Sequence, residues 1–100
     1  MATVSKALFR GAATTSSTTL YTVPSSTTAV VTNIAVTNEA ATSATFTILL
    51  DDVELQKDST LAANSTAYID LKQVLATTKT IKGFASAITV NFHISGVEIA

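Results

Sequence analysis

The sequence contains no cysteine and no tryptophan, and it has one proline, three glycines and one histidine. Without cysteine the chain has neither a disulfide framework nor a thiolate metal site, so its stability must come from packing or from association. The glycines, at positions 11, 83 and 96, lie too far apart to form a phosphate-binding loop. With a single histidine, His93, a metal site would have to rely on oxygen ligands.

Charged residues are also scarce. They make up 13% of the chain, and six lysines and arginines stand against seven aspartates and glutamates. These charges form no basic stripe for nucleic-acid phosphates and no polybasic segment for anionic lipids. No apolar run approaches the ~18 residues of a membrane-spanning helix, and residues 1–10 hold only a broken apolar trio where a signal peptide needs a continuous stretch. We therefore expect neither nucleic acid nor a membrane as a partner.

Hydroxyl and apolar side chains dominate instead. The chain has nineteen threonines and ten serines, and 47% of its residues are hydrophobic. It does not have the composition of a disordered protein, because disorder requires low hydrophobicity with high net charge, and the net charge here is -1. A length of 100 residues predicts one domain, spanning residues 1–100.

Alternation of apolar and polar residues with a period of two predicts three strands. Residues 30–37 place Val30, Thr32, Ile34 and Val36 on one face. Residues 44–50 repeat the pattern with alternate Ala, Phe, Ile and Leu, and residues 88–95 repeat it with Ile88, Val90, Phe92 and Ile94. All three runs are rich in β-branched residues, whose stiff side chains suit a pleated sheet better than a helix.

Shorter alternating runs predict further strands over residues 4–10, 20–23, 53–56, 67–71 and 79–85. Pro24 ends one of these runs and leads into a turn at Ser25-Ser26, while Asp51-Asp52 fits a two-residue hairpin loop. Residues 12–19 read as a solvated loop or an edge strand, and residues 70–76 as a short turn of helix or none. The shift of apolar register at Gly96 predicts a β-bulge. About eight strands in all predict an antiparallel β-sandwich or jelly roll.

Candidate catalytic and metal groups are few. His93 and Ser95 lie two apart on one strand face, which separates them by about 7 Å, too far for a nucleophile and its base. The acidic group of Asp51, Asp52, Glu54 and Asp58 is the one candidate for a calcium site, but it lacks the glycine and spacing of an EF-hand loop. We predict no catalytic residue, no metal ligand and no cofactor, and hence a protein that is not an enzyme.

The low aromatic content argues against a second class of function, carbohydrate binding. A sugar-binding face usually offers aromatic platforms, and here only Tyr21 and Tyr68 with four phenylalanines are available. This weakens a carbohydrate-binding module, which is kept as an alternative and would be recognised by a concave face with Tyr21 or Tyr68 exposed beside acidic residues. Strands that expose threonine, serine and alanine, by contrast, lose little side-chain entropy when they pack against a neighbour. The same composition also fits an outer strand face that simply has high β propensity in water.

Several segments resemble small structural proteins of tailed bacteriophages. The likeness is carried by Leu20-Tyr21-Thr22-Val23-Pro24, by residues 27–34, by residues 62–66 with 69–75, and by residues 93–99. It covers roughly residues 11 to 99, which is nearly the whole chain.

The resemblance implies a non-enzymatic virion component, commonly oligomeric, that is assembled in the host cytoplasm. Within this class we favour a capsid decoration (cement) protein that binds the major capsid protein on the capsid exterior, with a trimer as the expected assembly. The alternative within the class is a neck, tail or fibre-associated sandwich. The resemblance supplies no catalytic or binding residues.

Overall fold

The computed structural model describes residues 3–100, and all regular structure in this range is β. Eight strands run along the chain, namely β1 (Thr3–Ala12), β2 (Thr18–Thr22), β3 (Thr28–Asn38), β4 (Ala44–Leu50), β5 (Val53–Leu61), β6 (Thr66–Leu75), β7 (Thr80–Ala85) and β8 (Val90–Ile99). Each predicted strand is therefore present. Met1 and Ala2 of the predicted domain lie outside the described residues, so its 1–100 bounds stay a prediction.

The strands form two antiparallel four-stranded sheets. Sheet A has the order β1-β8-β3-β6, and sheet B has the order β2-β7-β4-β5. The paired strands are nested along the chain, because β4 pairs with β5, β3 with β6, β2 with β7 and β1 with β8. This nested arrangement over two sheets defines an eight-stranded jelly roll. The predicted all-β antiparallel sandwich is confirmed.

The core is the apolar layer between the sheets. Alternation in β4 turns Phe46, Ile48 and Leu50 inward, and alternation in β8 turns Phe92 and Ile94 inward to meet them. The rings of Phe46 and Phe92 join the two sheets in an edge-to-face contact, with centroids 6.4 Å apart. Burial of one face of each strand in this way is what makes the other face the surface of the molecule.

The hairpin between β4 and β5 has the two-residue loop expected from the sequence. Asp51 and Asp52 both have positive φ, at 53° and 60°. These values match a type I′ turn, whose twist follows that of the flanking strands. Aspartate tolerates this backbone region better than most residues, so the turn forms without the usual glycine.

The structure decides one open expectation about local structure and corrects another. Residues 70–75 continue β6, so of the two outcomes expected for residues 70–76, a short helical turn or none, the helical turn is not formed. Ile88 does not belong to β8: it lies in the turn after β7, where the Val90 amide donates to the Ala87 carbonyl, and it is 70% exposed. Ile88 follows the apolar period of β8 although the strand begins only at Val90.

The bulge predicted at Gly96 is located in the neighbouring strands instead. Strand β8 runs regularly through Gly96. Each neighbouring strand has one extra residue instead: Leu8 in β1, opposite Ser95 and Ile94, and Thr32 in β3, opposite Gly96 and Ser95. The bulge at Thr32 also reverses the predicted face of Val30, which points outward while Val31 is buried. Gly96 is needed for its lack of a side chain, because a Cβ there would collide with the Val30 carbonyl oxygen and lie 2.9 Å from Leu8 Cδ1.

We predict that Gly96→Ala lowers the free energy of unfolding by about 3 kcal/mol, since backbone of β3 would have to move to admit a methyl group. Gly11→Ala is the matched control, because a Cβ at position 11 meets only the flexible Phe9 ring, at 3.3 Å. Urea denaturation followed by circular dichroism measures both. Equal stability of the two variants would contradict the close-approach explanation.

Candidate binding surface

The outer face of sheet A carries side chains in registered rows across its four strands. Bulges at equivalent heights in β1 and β3 keep the rows aligned. We call the end of the sandwich that holds Thr3, Ile99 and Thr28 the open end. From there toward the opposite end, the rows are Thr3, Ile99 and Thr28; then Ser5, Val97, Val30 and Val74; then Ala7, Ser95, Asn33 and Asp70; then Arg10, His93, Ala35 and Tyr68; and finally Ala12, Asn91, Thr37 and Thr66.

The second of these rows is apolar, and we call it the valine row (Ser5, Val97, Val30, Val74). Val97 and Val30 are half-buried by their neighbours, while Val74 at the β6 edge is 66% exposed. The adjacent row adds Ile99 between two threonines. Neither row contains a charged residue, so this end of the face is a flat surface of short apolar and hydroxyl side chains.

The middle of the same face is polar. Asn33 donates a hydrogen bond from Nδ2 to Asp70 Oδ1 over 3.2 Å, joining β3 to β6. In the next row, Tyr68 is 74% exposed beside the small Ala35. A shallow open depression of about 500 Å³ lies where β6 bulges, lined by Thr32, Asp70, Leu71 and Lys72.

His93 and Ser95 occupy neighbouring rows of this face, as their spacing indicates. His93 lies between Arg10 and Ala35, and Ser95 lies between Ala7 and Asn33. Both are half-buried on a flat sheet rather than in a cleft. The geometry brings no nucleophile to His93 within the described residues, and its lack of a catalytic role stays a prediction.

The acidic group does not converge on a point. Asp51 and Asp52 project from the hairpin tip toward different lysines, with oxygen-to-nitrogen distances of 3.7 Å to Lys79 and 2.7 Å to Lys82. Asp58 lies at a bulge of β5, where its amide donates to Thr47 Oγ1 at 3.0 Å. Among residues 3–100 no three His, Cys, Asp or Glu side chains are grouped so as to hold a metal ion.

The two tyrosines have different environments. Tyr21 is buried on β2, and its hydroxyl donates a short hydrogen bond to Glu98 Oε2 across the open end of the sandwich. Lys6 Nζ approaches the other carboxylate oxygen of Glu98 at 3.4 Å. These three side chains, which we call the Glu98 clasp, join β2 of sheet B to β1 and β8 of sheet A.

The clasp shifts the titration of both acids. The hydrogen bond from Tyr21 and then the nearby Lys6 ammonium lower the pKa of Glu98, although partial burial opposes them. Burial, followed by the hydrogen bond to Glu98 and its negative charge, raises the pKa of Tyr21. The folded state therefore favours ionised Glu98 beside neutral Tyr21.

Asn38 organises the opposite end of the sandwich, and the sequence analysis did not identify it. Its fully buried side chain donates from Nδ2 to the Thr42 carbonyl at 2.8 Å and, at 3.4 Å each, to the Leu61 and Ala62 carbonyls. Its Oδ1 accepts from the Ala40 amide and from Thr89 Oγ1. One amide thus holds three loops together. The available signal was that Asn38 continues the period of two of the apolar residues Ile34 and Val36 in β3.

Comparison with known proteins identifies no family. No family model matches the chain, and no curated protein matches it. Among solved structures, the chain is similar to a pentameric capsid protein isolated from metagenomic phage sequences, at 17% identity and a TM-score of 0.43. The match covers 96% of this chain and 59% of that protein, so the chain spans less than two thirds of its neighbour's length. Similarity of this degree does not extend the neighbour's assembly or role to this chain. Within residues 3–100 no helix is long and apolar enough to cross a membrane.

We predict that Asn38→Asp lowers the free energy of unfolding by about 3 kcal/mol, because a carboxylate would replace the donor that faces buried carbonyl oxygens. Asn64→Asp makes the same chemical change in an exposed loop at the same end and should stay within about 0.5 kcal/mol of the parent protein. Thermal unfolding of the three proteins at pH 7 distinguishes them. A stable Asn38→Asp protein would show that the loops do not depend on this amide.

A second prediction concerns pH. Because the folded pKa of Glu98 lies below its ordinary value of 4.5, the contribution of the clasp is present above that pH and is lost as pH falls through the folded pKa. The raised pKa of Tyr21 acts at the other limit, since its contribution is present below the ordinary value of 10.0 and is lost as pH rises through the folded pKa.

Tyr21→Phe should therefore flatten the dependence of stability on pH at both limits, relative to the parent protein. Tyr68→Phe, which alters an exposed tyrosine, is the control and should leave the profile unchanged. Urea midpoints between pH 2 and pH 11 measure the effect. Parallel profiles for Tyr21→Phe and the parent protein would rule out the clasp as the source.

Proposed function

We propose that this protein is a non-enzymatic structural component of a tailed-bacteriophage virion. Within the virion we favour a position on the capsid exterior, where the protein would act as a decoration protein bound to the major capsid protein. The observation on which the proposal chiefly depends is the uncharged end of sheet A, where the valine row lies beside Ile99. The sequence resemblance to small phage structural proteins supports the same class.

The valine row and the adjacent row with Ile99 are favourable to bury against a partner, which is the physical reason for assigning a binding role to this end of sheet A. Transfer of an exposed valine from water is worth about 1.5 kcal/mol or more, and Val74 still has most of that gain available. Serine, threonine and valine lose little rotamer freedom on contact, and no charged group in these rows has to be desolvated. Exposed apolar strips with polar borders mark interaction sites on soluble domains.

The role would be mechanical. Each copy would contribute a modest contact, and a lattice of copies would bridge neighbouring capsid subunits, so that simultaneous docking strengthens attachment far beyond a single contact. The added contacts would oppose the outward pressure of packaged DNA. A neck, tail or fibre-associated position would use the same surface with far fewer copies per particle, which makes copy number the measurement that separates the two positions.

A carbohydrate-binding module is a second candidate, favoured by one observation. Tyr68 is highly exposed on the same face of β6 as Asp70, so an aromatic ring lies near an acidic side chain, which are two of the features expected of a sugar-binding face. Binding of the isolated protein to a glycan array, abolished by Tyr68→Ala, would favour this candidate over a purely structural role.

The structural proposal predicts that virions lacking this protein release DNA at lower temperature, or under milder chelator stress, than complete virions. Adding back the parent protein should restore stability, whereas Val74→Glu should restore it poorly because it places a charge in the valine row. Val53→Glu is the matched control, since Val53 is equally exposed, at 68%, but lies on β5 of the other sheet. Unchanged stability of particles without the protein would count decisively against decoration.

A further inference from the structure

The edges of the two sheets are protected to different degrees. In sheet B, β5 is interrupted by two register shifts and carries Glu54, Lys57 and Asp58, while β2 has only five residues and a shift of its own. Bulges, charges and short length are the devices by which proteins block edge-to-edge pairing. Sheet A ends instead in β1 and β6, both ten residues long.

Each edge of sheet A has a regular segment beyond its bulge. In β1 the bulge is at Leu8, so residues 9–12 pair regularly with β8. In β6 the irregularity is at Leu71 and Lys72, so residues 66–70 pair regularly with β3. As edge strands, both segments present unpaired backbone N–H and C=O groups on their outer sides.

The strand directions suit pairing between these two edges. Neighbouring strands in sheet A are antiparallel throughout, so β1 and β6 at its opposite edges run in opposite directions. When a second copy is placed beside the first in the same orientation, its β1 therefore lies antiparallel to β6 of the first copy. The combined sheet keeps one hydrogen-bonding pattern across the junction.

The side chains of the two segments are complementary. Arg10 on β1 and Tyr68 on β6 belong to the same row of the outer face, and Asp70 is in the next row. With Arg10 of one copy opposite Tyr68 of the next, Asp70 is the diagonal neighbour, within reach of a guanidinium group. Arginine can then stack on the exposed ring and pair with the carboxylate, of which Asn33 holds only Oδ1. On one side of this pair the facing residues, Gly11 and Ala67, are small enough to let the backbones approach.

We propose that the β1 edge of one copy pairs with the β6 edge of a second copy of this chain, through residues 9–12 and 66–70, with Arg10 bound between Tyr68 and Asp70. Because the two edges differ, the contact is head-to-tail and repeats from copy to copy, giving an oligomer larger than a dimer. The valine rows of all copies then face the same side.

This inference deepens the proposed structural function, since it names the contact by which copies assemble before or during docking. The edge contact and the proposed structural function can be disproved independently of each other. An oligomer that leaves particle stability unchanged would remove the decoration role and keep the edge contact, whereas stabilised particles with monomeric protein would do the reverse.

A charge exchange between the two edges tests the contact. Arg10→Asp and Asp70→Arg, each alone, should place like charges at the junction and weaken self-association at least about tenfold by sedimentation equilibrium. The double variant Arg10→Asp/Asp70→Arg restores opposite charges and should recover most of the assembly. Lys57→Asp, on the β5 edge, is the control and should assemble like the parent protein.

Three results would overturn the proposal. They are a parent protein that stays monomeric at the concentrations tested, a double variant that associates no better than the single variants, and a sensitivity to Arg10→Asp without one to Asp70→Arg. The last pattern would indicate a symmetric contact between two β1 edges. Circular dichroism of every variant checks that a loss of assembly is not a loss of fold.

Discussion

The apolar layer between the two sheets constrains everything else in this molecule. Once Phe92, Ile34 and Ile48 are buried in that layer, strand alternation leaves every second side chain facing solvent, in rows that run across whole sheets. The face available for binding is therefore determined by the core, and no separate structure builds it. Short threonine, serine, valine and isoleucine side chains fill the two rows that hold Ile99 and Val97, so this part of sheet A offers no long side chains to wall a cleft.

The two ends of the sandwich are held in different ways. At one end Asn38 joins three loops through buried hydrogen bonds, which are insensitive to salt and to moderate changes of pH. At the other end the Glu98 clasp joins the sheets through a carboxylate that has to remain ionised. A chain without disulfides thus closes its sandwich at both ends with side-chain hydrogen bonds, and the end beside the valine row is the one with ionisable groups in these bonds.

The sequence was sufficient for the fold class because period-two patterns depend only on burial of one strand face, and eight such runs fit few architectures. The sequence pattern was not sufficient where a shift of apolar register can arise either from a bulge in the strand itself or from bulges in its neighbours. The apolar shift at Gly96 reflects a close approach of β3, with the extra residues in the neighbouring strands, and a single chain pattern cannot show which strand of a pair has gained a residue. Asn38 and the Glu98 clasp depend on contacts between residues far apart in sequence, which no local spacing reveals. Proximity in sequence is also not enough to form a site. Asp51 and Asp52 are adjacent in the chain but point toward different lysines.

The distribution of charge gives the molecule two dissimilar sides. The outer side of sheet B and its hairpin carry Asp52, Glu54, Lys57, Asp58 and Lys82, with both signs interspersed, as on a surface that remains in water. The outer side of sheet A has its few charges toward its middle and edges and none in the two rows at its open end. With a net charge of only -1, long-range repulsion between copies is weak and does not oppose association. The structural role proposed above requires a protein with sheet A against a partner and sheet B toward solvent, and that orientation suits the charge on each of the two surfaces.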